Sequence, residues 1–328
     1  MTASTAPSSS AQASTAAPAT IRVSLNWTVP AGDWPGIFWA QSKGYYDEAN
    51  LKVELQFLQG SALSIQAVGA GTSDLGIADS GSGLTGMSQG LPIVAVANQI
   101  RNTPTGIIWD KSKHTISAFT DLKGLTISSA TASPEPALLQ AQLVAAGLNP
   151  DSDVKFVYVD PQAKCTVLLA GKSDVCTGFS TFQLLQVLGQ GVDAGFLSFS
   201  TPQAPVLGHS TFANKDYLAK NPDVVKRFLA ATMRGYYEAL QDANIDPTVD
   251  IVTKAYPESD KVLLKGAYQQ YQLLNKDQQT DGHAWGWMSD TPWENLQKAL
   301  LGAKLIKRET PVSSVYTNDY LPDAAFTN

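Results

Sequence analysis

Aromatic and acidic side chains are crowded into residues 27–39, which follow a predicted strand and lead into a predicted helix. Three of the chain's seven tryptophans lie in this segment. Because an indole ring is costly to leave in water, this density favours a wall against which a flat ligand stacks. The alternative is that Phe38 and Trp39 form the apolar face of the helix. The candidate ligand contacts here are Trp27, Asp33, Trp34 and Phe38.

A second segment, residues 78–83, carries Asp79, Ser80 and Ser82 in front of a glycine-rich helix. Gly81–Gly86 has the G-x-G-x-x-G spacing of a dinucleotide-binding turn, but the strand that follows ends without the acidic residue that would bind a ribose. The backbone N–H groups at this helix start can instead donate to a carboxylate, sulfonate, phosphate or carbonyl oxygen. The alternative is that one of the three side chains only caps the helix.

Three further segments follow predicted strands in the same way. Ser133 precedes a proline and is typical of an N-cap. The remaining N–H groups of its loop are therefore expected to face the ligand-binding cleft beyond the strand ends. Glu135 either complements the helix dipole or accepts hydrogen bonds from an amino group of the ligand. Phe179 either contacts the ligand or packs in the core. The candidate contacts of these segments are Ser128, Ala130, Ser133, Glu135, Tyr158, Asp160, Thr177 and Phe179.

The three histidines and two cysteines lack the spacing of a metal site. No H-x-x-x-H or C-x-x-C pattern is present, so we predict neither a metal nor a cofactor. His209 is interpreted as a surface side chain, with a hinge residue or a ligand contact as the alternatives. Cys165 opens a predicted helix, and Cys176 lies near the end of the next strand. Because this helix runs antiparallel to that strand, both cysteines reach the same edge of the sheet, and we hypothesise a disulfide.

The five segments require a scaffold that brings the ends of several strands together. From residue 21 the pattern alternates between strands and helices, which predicts a parallel sheet with crossover helices, and a second similar series follows. Residues 105–110 and 205–213 are predicted to be extended crossings between the two series, and the chain from residue 215 is mostly helical. In such sheets, ligands bind beyond the carboxyl ends of the strands. The predicted domains are a disordered tether at 1–20, a discontinuous first lobe at 21–104 plus 212–328, and a second lobe at 105–211, with a ligand cleft between the lobes.

Charge and composition exclude several classes of function. The 328 residues include 23 basic and 29 acidic side chains, and the net charge of −6 argues against a nucleic-acid partner. No run approaches the roughly 18 apolar residues that would cross a membrane. Residues 2–20 contain only Ala, Ser, Thr, Pro and Gln, so they form either the loose tail of a cytoplasmic protein or the spacer of an exported one whose leader has been removed. We favour the second interpretation, in which the protein is periplasmic or extracytoplasmic and the spacer could lead to a lipid anchor.

Several segments carry a resemblance to a known family, and they occur in the family's order. The first reads SLNWTVPAGDWPGIFWAQSKGYYDEANLKVELQFLQG, and the last reads NPDVVKRFLAATMRGYYEAL. They resemble the solute-binding proteins of ABC importers, in the branch that carries thiamine-precursor pyrimidines, sulfonates, taurine or nitrate. The matching segments are 24–60, 61–81, 128–139, 168–179 and 221–240.

The resemblance implies a type II periplasmic-binding-protein fold of the α/β class. Two Rossmann-like lobes would be joined by two extended crossings, with the C-terminal helices packed on the first lobe. It further implies capture of a small-molecule ligand in the cleft, delivery to an ABC permease in the membrane, and no chemical reaction. Phe179 lies where this family often places an aromatic ring against the ligand. We expect a monomer.

The candidate residues favour a small heteroaromatic ligand. The aromatic first segment suits a flat body, and the polar helix starts suit oxygens or ring nitrogens at its rim. No arginine lies in the five segments, which argues against a strongly anionic group, and Arg101 is the nearest one. Four acidic residues would suit an amino group on the ligand. We therefore predict a thiamine-precursor pyrimidine or a similar compound, with a sulfonate or an aromatic carboxylate as the alternative.

Enzyme classes find little support in the sequence. Neither the G-x-S-x-G elbow nor the G-x-x-x-x-G-K-[ST] phosphate loop is present. One enzyme shares the implied fold, the thiamine-pyrimidine synthase that consumes a histidine of its own together with pyridoxal phosphate, but its cysteine-rich signature is not seen here. A sensor lobe that signals to a partner protein is a further alternative. We predict a binding protein and not an enzyme.

Overall fold

The structure is a computed structural model that describes residues 16–27, 34–130, 135–160, 162–201, 205–279 and 281–326. The strands in these residues are β1 (Ala19–Leu25), β2 (Leu51–Phe57), β3 (Leu75–Asp79), β4 (Ile93–Asn98), β5 (Thr105–Asp110), β6 (Thr126–Ser129), β7 (Lys155–Tyr158), β8 (Val175–Phe179), β9 (Ala194–Ser198) and β10 (His209–Asn214). The α-helices are α1 (Pro35–Ser42), α2 (Tyr45–Glu48), α3 (Ser61–Gly69), α4 (Ser80–Ser88), α5 (Glu135–Ala145), α6 (Lys164–Leu169), α7 (Gln183–Gly189), α8 (Lys215–Lys220), α9 (Pro222–Ala239), α10 (Ile245–Ala255), α11 (Lys261–Leu274) and α12 (Asp290–Gly302). In the part of the chain that the structure describes, no helix combines the length and the apolar character needed to span a membrane.

The strands form two separate five-stranded sheets. The first has the order β2-β1-β3-β10-β4, and the second has the order β7-β6-β8-β5-β9. Each sheet is built from one of the two alternating series of strands and helices, which confirms the predicted α/β class with two lobes. Inside the first sheet, β10 is buried at every residue, and so is β4 at the edge of that sheet.

One strand in each sheet runs against its neighbours. β5 is antiparallel to β8 and β9, and β10 is antiparallel to β3 and β4. The sequence pattern predicts residues 105–110 and 205–213 as the crossings between the lobes. In the structure these segments form β5 and most of β10, and the chain crosses between the lobes just before each strand, at residues 99–104 and 199–208. β10 begins at His209, and the first sheet therefore contains residues 209–211, which we assigned to the second lobe.

The two reversed strands bring particular strand ends to the crossings. His209, at the start of β10, lies opposite Asp79 at the end of β3. Thr105, at the start of β5, lies opposite Phe179 at the end of β8. Because each crossing leads directly into one of these strand starts, the carboxyl ends of β3 and β8 lie beside the crossings, in the region between the two lobes.

The two crossings are hydrogen-bonded to each other and to the C-terminal part of the chain. The N–H of Thr103 donates to the carbonyl of Val206 at 2.8 Å, and the N–H of Gly208 donates to the carbonyl of Ile100 at 2.9 Å. The N–H of Asn102 donates to the last carbonyl of α11 at 3.2 Å. The connection between the lobes therefore consists of two extended segments held against the end of a helix.

The C-terminal helices pack on the first lobe, as predicted, but two of them also contact the second. α9 crosses α1 in the first lobe, whereas α11 contacts α7 and α12 contacts α5 in the second. A Cβ added to Gly266 of α11 would lie 3.0 Å from the side chain of Leu185 in α7. One hydrophobic core includes Phe212 of the first sheet, Ile107 of the second and Trp293 of α12. The apolar packing is thus continuous across the two lobes.

Helices α1 and α9 meet through glycines. A Cβ added to Gly235 would lie 2.1 Å from the carbonyl oxygen of Gly36, and one added to Gly36 would lie 2.3 Å from the ring of Tyr236. The two backbones are therefore in direct contact at this crossing, and a side chain at either position requires the helices to separate.

Gly235→Ala is expected to destabilise the protein by about 1 to 3 kcal/mol, because the new methyl group overlaps a backbone atom that cannot move independently. Gly302→Ala at the end of α12 is the matched control, since a Cβ there has no heavy atom within 4 Å. That change should be neutral or stabilise by up to about 1 kcal/mol. Urea unfolding of the two variants and the wild type measures the difference, and equal midpoints for Gly235→Ala and the wild type would contradict the expectation.

Candidate functional site

Asp79, at the end of β3, is the central residue of the first-lobe half of the site. Its Oδ1 caps α4 by accepting the N–H groups of Gly81 at 2.9 Å and Ser82 at 3.1 Å. Its other carboxylate oxygen has no hydrogen-bond partner among the described residues. The side chain keeps part of its surface accessible, although the strand before it is buried. The two predicted roles, capping and ligand contact, are therefore compatible, because one oxygen caps the helix and the other is available.

The surroundings of Asp79 shift the pKa of its carboxyl group. Burial of the carboxylate raises the pKa of Asp79 above its usual value. The charge of His209 and the capping N–H groups lower this pKa in part, whereas the negative charge of Glu135 raises it further. Glu135 begins α5 in the second lobe. A negative charge in the second lobe is thus the smallest of these contributions to the pKa of Asp79.

His209 is buried, contrary to the surface position that we expected. The reason is that β10 lies between β3 and β4, so that its first residue has a neighbouring strand on each side. Its Nε2 lies 3.4 Å from Nδ2 of Asn26. The backbone carbonyl of His209 accepts hydrogen bonds from the side chain of Asn98 and from the N–H of Gln99, so the residue is anchored to the first crossing.

Asn26 belongs to the site but was not predicted. It directly follows β1, and its Nδ2 donates to Ser61 Oγ at 3.1 Å. Ser61 Oγ also accepts the N–H of Asp79 at 3.0 Å, which links the ends of β1 and β3. Asn26 is only 7% exposed, and its Oδ1 has no hydrogen-bond partner within the described residues. A buried acceptor without a partner is costly, and a ligand donor could satisfy it. The only signal in the sequence is the position of Asn26 at a strand end.

The glycine-rich start of α4 is explained by packing. Ser80 is fully buried, and its hydroxyl donates to the carbonyl of Gly208 at 2.6 Å, which ties α4 to the return crossing. Ser82 keeps some accessible surface and contributes its N–H to the cap. A Cβ on Gly83 would lie 2.1 Å from the ring of Phe212. The G-S-G-L-T-G spacing therefore allows the helix to lie close against the sheet.

A buried ion pair forms the second-lobe half of the site. Nζ of Lys164, the first residue of α6, lies 2.5 Å from both Oε1 and Oε2 of Glu135. Thr177 Oγ1 donates to Glu135 Oε2 at 2.6 Å. Since this bond uses the only hydroxyl proton of Thr177, the 2.9 Å contact between Ser129 and Thr177 has Ser129 as the donor. The side chains of Lys164 and Glu135 are only 3% and 2% exposed.

Lys164 and Ser129 were missed as site residues, whereas Glu135 and Thr177 were predicted. Glu135 and Lys164 begin helices and Ser129 ends β6, whereas Thr177 is the middle residue of β8. Glu135 accepts hydrogen bonds, as one of its two predicted roles requires, but the donors in this structure are Lys164 and Thr177. The position of Lys164 at a helix start is the only signal that could have identified it from the sequence.

Two other predicted contacts of the second lobe lie close to this pair. Phe179 keeps part of its surface accessible, and Nζ of Lys164 lies 5.6 Å from the centre of its ring. Ser128 is fully buried, and its hydroxyl donates to the carbonyl of Lys164 at 2.8 Å. This hydrogen bond of Ser128 therefore joins β6 to the start of α6. Ala130 is buried directly after β6.

Tyr158 and Asp160 lie at the outer edge of the second sheet. Tyr158 ends the edge strand β7, is 47% exposed, and stacks on Phe156 with ring centres 5.7 Å apart. Asp160 is exposed and accepts the N–H of Gln162 at 2.9 Å. Both side chains are thus more open to solvent than Glu135 and Lys164, and their contact with a ligand stays a prediction.

The aromatic first segment divides between the core and the surface. Trp34 is 1% exposed and packs edge-on against Phe57, with ring centres 5.9 Å apart. Phe38 packs in the same way against Tyr256 at 5.5 Å, so the alternative of a core position holds for it. Trp27 keeps accessible surface and is the indole that can still face a ligand. Two more predicted contacts, Asp33 and Ser133, lie outside the described residues.

Other charged groups near the crossings are already compensated. Arg101, in the first crossing, forms an ion pair with Asp281 and donates to the carbonyl of Trp287 at 3.1 Å. These bonds attach the crossing to the segment before α12. Among the described residues, no three His, Cys, Asp or Glu side chains are close enough to hold a metal ion.

Cys165 and Cys176 form a disulfide, with their Cα atoms 5.3 Å apart. Cys165 directly follows Lys164, and Cys176 directly precedes Thr177. The bond therefore joins the start of α6 to β8, the two elements whose side chains hold Glu135, and Cys176 is the second residue of β8 and does not lie near its end as we predicted. Both cysteines are buried in a small apolar cluster of the second lobe.

Two α/β lobes, each with a polar half-site at its strand ends, define the periplasmic-binding-protein fold, and comparison with solved structures agrees. The periplasmic aliphatic sulphonate binding protein SsuA of Escherichia coli has a TM-score of 0.71 to this chain, at 16% identity, with 92% of each chain covered. The periplasmic nitrate-binding protein NrtA of Synechocystis has a TM-score of 0.62 at 14% identity, covering 92% of this chain and 87% of its own.

The chain belongs to the NMT1/THI5-like family, whose sequence pattern matches residues 32–244. The riboflavin-binding protein RibY of Chloroflexus aurantiacus is 24% identical over 98% of this chain and 93% of that protein. The 4-amino-5-hydroxymethyl-2-methylpyrimidine phosphate synthase of Legionella pneumophila is 23% identical, with 93% of each chain covered. The family resemblance inferred from the sequence is thereby confirmed.

Asp79→Asn is expected to leave the free energy of unfolding at neutral pH unchanged or raised. The amide oxygen can still accept the capping N–H groups, while a buried charge is removed. Because folding raises the pKa of Asp79, the wild type loses stability relative to the variant as the pH rises from below 3.8 through that raised pKa. Below pH 3.8 the two proteins should be equally stable, since both side chains are then uncharged.

Urea unfolding of this variant at neutral pH and below pH 3.8 tests the sign of the difference. Asp323→Asn, at an exposed position near the C-terminus, is the control and should match the wild type at both pH values. A lower stability of Asp79→Asn at neutral pH would show that the charge is stabilising in the folded protein.

Because both cysteines of the chain are in the disulfide, the number of free thiols can be predicted. Denatured protein that has not been reduced should contain no reactive thiol, and reduction should expose two. The double substitution Cys165→Ser/Cys176→Ser should lower the free energy of unfolding by about 2 to 4 kcal/mol, because the unfolded chain loses a closed loop. Thiol titration in denaturant with and without reductant, followed by urea unfolding, measures both; two free thiols without reductant would rule out the bond.

Proposed function

We propose that this protein captures a small heteroaromatic solute between its two lobes and delivers it to the membrane permease of an ABC importer. The observation that carries this proposal is that the carboxyl ends of β3 and β8, one from each lobe, both lie beside the crossings, with Asp79 opposite His209 and Phe179 opposite Thr105. A ligand that contacts both half-sites would stabilise the closed arrangement of the lobes, because it makes more contacts there than in an open one. A permease could then distinguish the loaded protein from the empty one.

The free hydrogen-bonding groups of the first lobe favour a ligand that carries N–H donors. One oxygen of Asp79 and the Oδ1 of Asn26 have no partner within the described residues, and both are acceptors. An amino group or a ring N–H would satisfy them. Trp27 and Phe179, which both keep accessible surface, could contact the faces of a flat ring. These features suit a pyrimidine such as a thiamine precursor, or a larger heterocycle that contains a pyrimidine ring.

A sulfonate or a carboxylate fits these charges less well. Lys164 is already paired with Glu135, and Arg101 is already paired with Asp281. An anionic ligand between the lobes would therefore meet the carboxylates of Asp79 and Glu135 without a cation that is free to compensate it among these residues. The sulphonate- and nitrate-binding structures resemble this chain at 16% and 14% identity, which supports the shared fold and leaves the ligand open.

Binding without chemistry is favoured over a synthase function. A lysine that reacts with a carbonyl compound must present a free amine, whereas Nζ of Lys164 lies against both oxygens of Glu135. We therefore propose a monomeric, extracytoplasmic binding protein, in line with the periplasmic location named for the structurally similar proteins.

Calorimetric titration should detect binding of 4-amino-5-hydroxymethyl-2-methylpyrimidine or riboflavin, and weaker or no binding of an alkanesulfonate or of benzoate. Asp79→Asn should weaken binding of the heterocycle about 10- to 100-fold, because the single amide oxygen keeps the helix cap and the group left to face the ligand is an NH₂, which cannot accept a hydrogen bond. Asp323→Asn is again the control and should bind like the wild type. If only the alkanesulfonate gave a heat of binding, the ligand class would be sulfonates and not heteroaromatic compounds. If neither heterocycle gave a heat of binding, the proposal of a heteroaromatic ligand would be refuted.

A further inference from the structure

The buried cation of the second lobe has hydrogen-bonding capacity that the protein does not use. We infer that Lys164 is a further ligand-binding residue, whose ammonium group donates a hydrogen bond to a carbonyl oxygen or a ring nitrogen of the heteroaromatic solute. This inference rests on the proposed function. It adds the residue that would make the site prefer ligands with a hydrogen-bond acceptor at this position.

A count of donors leaves one N–H of Lys164 available. The ammonium group has three N–H bonds, and the two oxygens of the single Glu135 carboxylate, each 2.5 Å from Nζ, accept at most two of them. No third acceptor is found among the described residues. The neighbouring aromatic ring is Phe179, 5.6 Å from Nζ to its centre, and that ring keeps accessible surface. The unused donor is therefore next to a side chain that can contact a ligand.

The location of the pair supports a role in binding. Glu135 and Lys164 begin α5 and α6, at the edge of the second sheet where β6 and β8 end. Phe179, the last residue of β8, lies opposite Thr105, where the first crossing ends. The pair therefore lies on the side of its lobe that faces the first-lobe half-site and is not hidden in the centre of the lobe.

Stability alone gives little reason for an ion pair at this position. Removing two charges from water is expensive, and apolar side chains of similar volume often replace a buried pair without loss of stability. Here the surroundings are arranged to keep the pair in place: Thr177 donates to Glu135, and the disulfide joins the residues next to Lys164 and Thr177. This arrangement holds Nζ in one position, as a specific hydrogen bond to a ligand requires.

Together with Asp79, this donor defines the edge of the ligand that the site would recognise. The first lobe offers a carboxylate oxygen, which accepts, and the second lobe offers an ammonium N–H, which donates. The complementary ring edge carries an N–H or NH₂ group together with a ring nitrogen or a carbonyl oxygen. Aminopyrimidines and the pyrimidinedione ring of a flavin both have such an edge, whereas an alkanesulfonate has acceptors only.

The test compares ligands with and without the acceptor atom. The double variant Glu135→Leu/Lys164→Met removes the donor and leaves no unpaired buried charge, so it is expected to fold. Lys172→Met, at an exposed lysine that follows α6, is the control. Each protein is titrated calorimetrically with 4-amino-5-hydroxymethyl-2-methylpyrimidine and riboflavin and with analogues in which a ring nitrogen is replaced by C–H or a carbonyl is removed. Thermal unfolding confirms that the variants are folded.

The wild type and Lys172→Met should prefer a parent compound over one of its analogues by about 10-fold or more, and the double variant should lose this preference. A purely structural role of Lys164 would change the affinity for parent and analogue equally, so an unchanged preference in the double variant overturns this inference and leaves the proposed function standing. If the wild type binds neither heterocycle, both proposals are overturned.

Discussion

The reversed strands β5 and β10 are the constraint on which the arrangement of this protein depends. Each is the first strand after a crossing, and each is inserted antiparallel among strands of the other direction. The insertion places Asp79 opposite His209 and Phe179 opposite Thr105, so the carboxyl ends of β3 and β8 are brought to the crossings. If β5 and β10 ran parallel to their neighbours, the chain would have to enter each sheet at the edge where the other strands begin. The half-sites, which lie where those strands end, would then be far from the two crossings.

The polar half-sites are held at a cost in stability that the rest of the fold supports. The first contains a carboxylate whose pKa is raised by burial and an amide oxygen without a partner among the described residues. The second contains a buried ion pair. Around them, two large apolar cores, one of which spans both lobes, and the direct contact of α1 with α9 supply the compensating burial. Unsatisfied polar groups collected at one place, while the surroundings are well packed, are typical of a binding site.

The C-terminal helices contribute to the connection between the lobes, in addition to the two crossings. Asn102 and Arg101 of the first crossing are bonded to the end of α11 and to the segment before α12, while α11 and α12 also contact the second lobe. A change in the angle between the lobes must therefore alter these contacts as well as the two crossings. The close approach of Gly266 to Leu185 is a point at which the two lobes can rest against each other.

Local patterns in the sequence determined the alternation of strands and helices, the division into two lobes, the helix start at Asp79 and the proximity of Cys165 to Cys176, because each depends on periodicity or on residues close along the chain. The burial of His209 and the inclusion of Asn26 and Lys164 in the site could not be read from it. His209 is buried because β10 inserts between two strands that are distant in sequence, and Lys164 meets Glu135 only because α5 and α6 begin at the same sheet edge. Likewise, Trp34 and Phe38 have the composition of a stacking wall, but they pack against Phe57 and Tyr256, which only the tertiary fold places beside them. Side-chain partners across the sheets are decided by strand order, and strand order leaves no local trace in the chain.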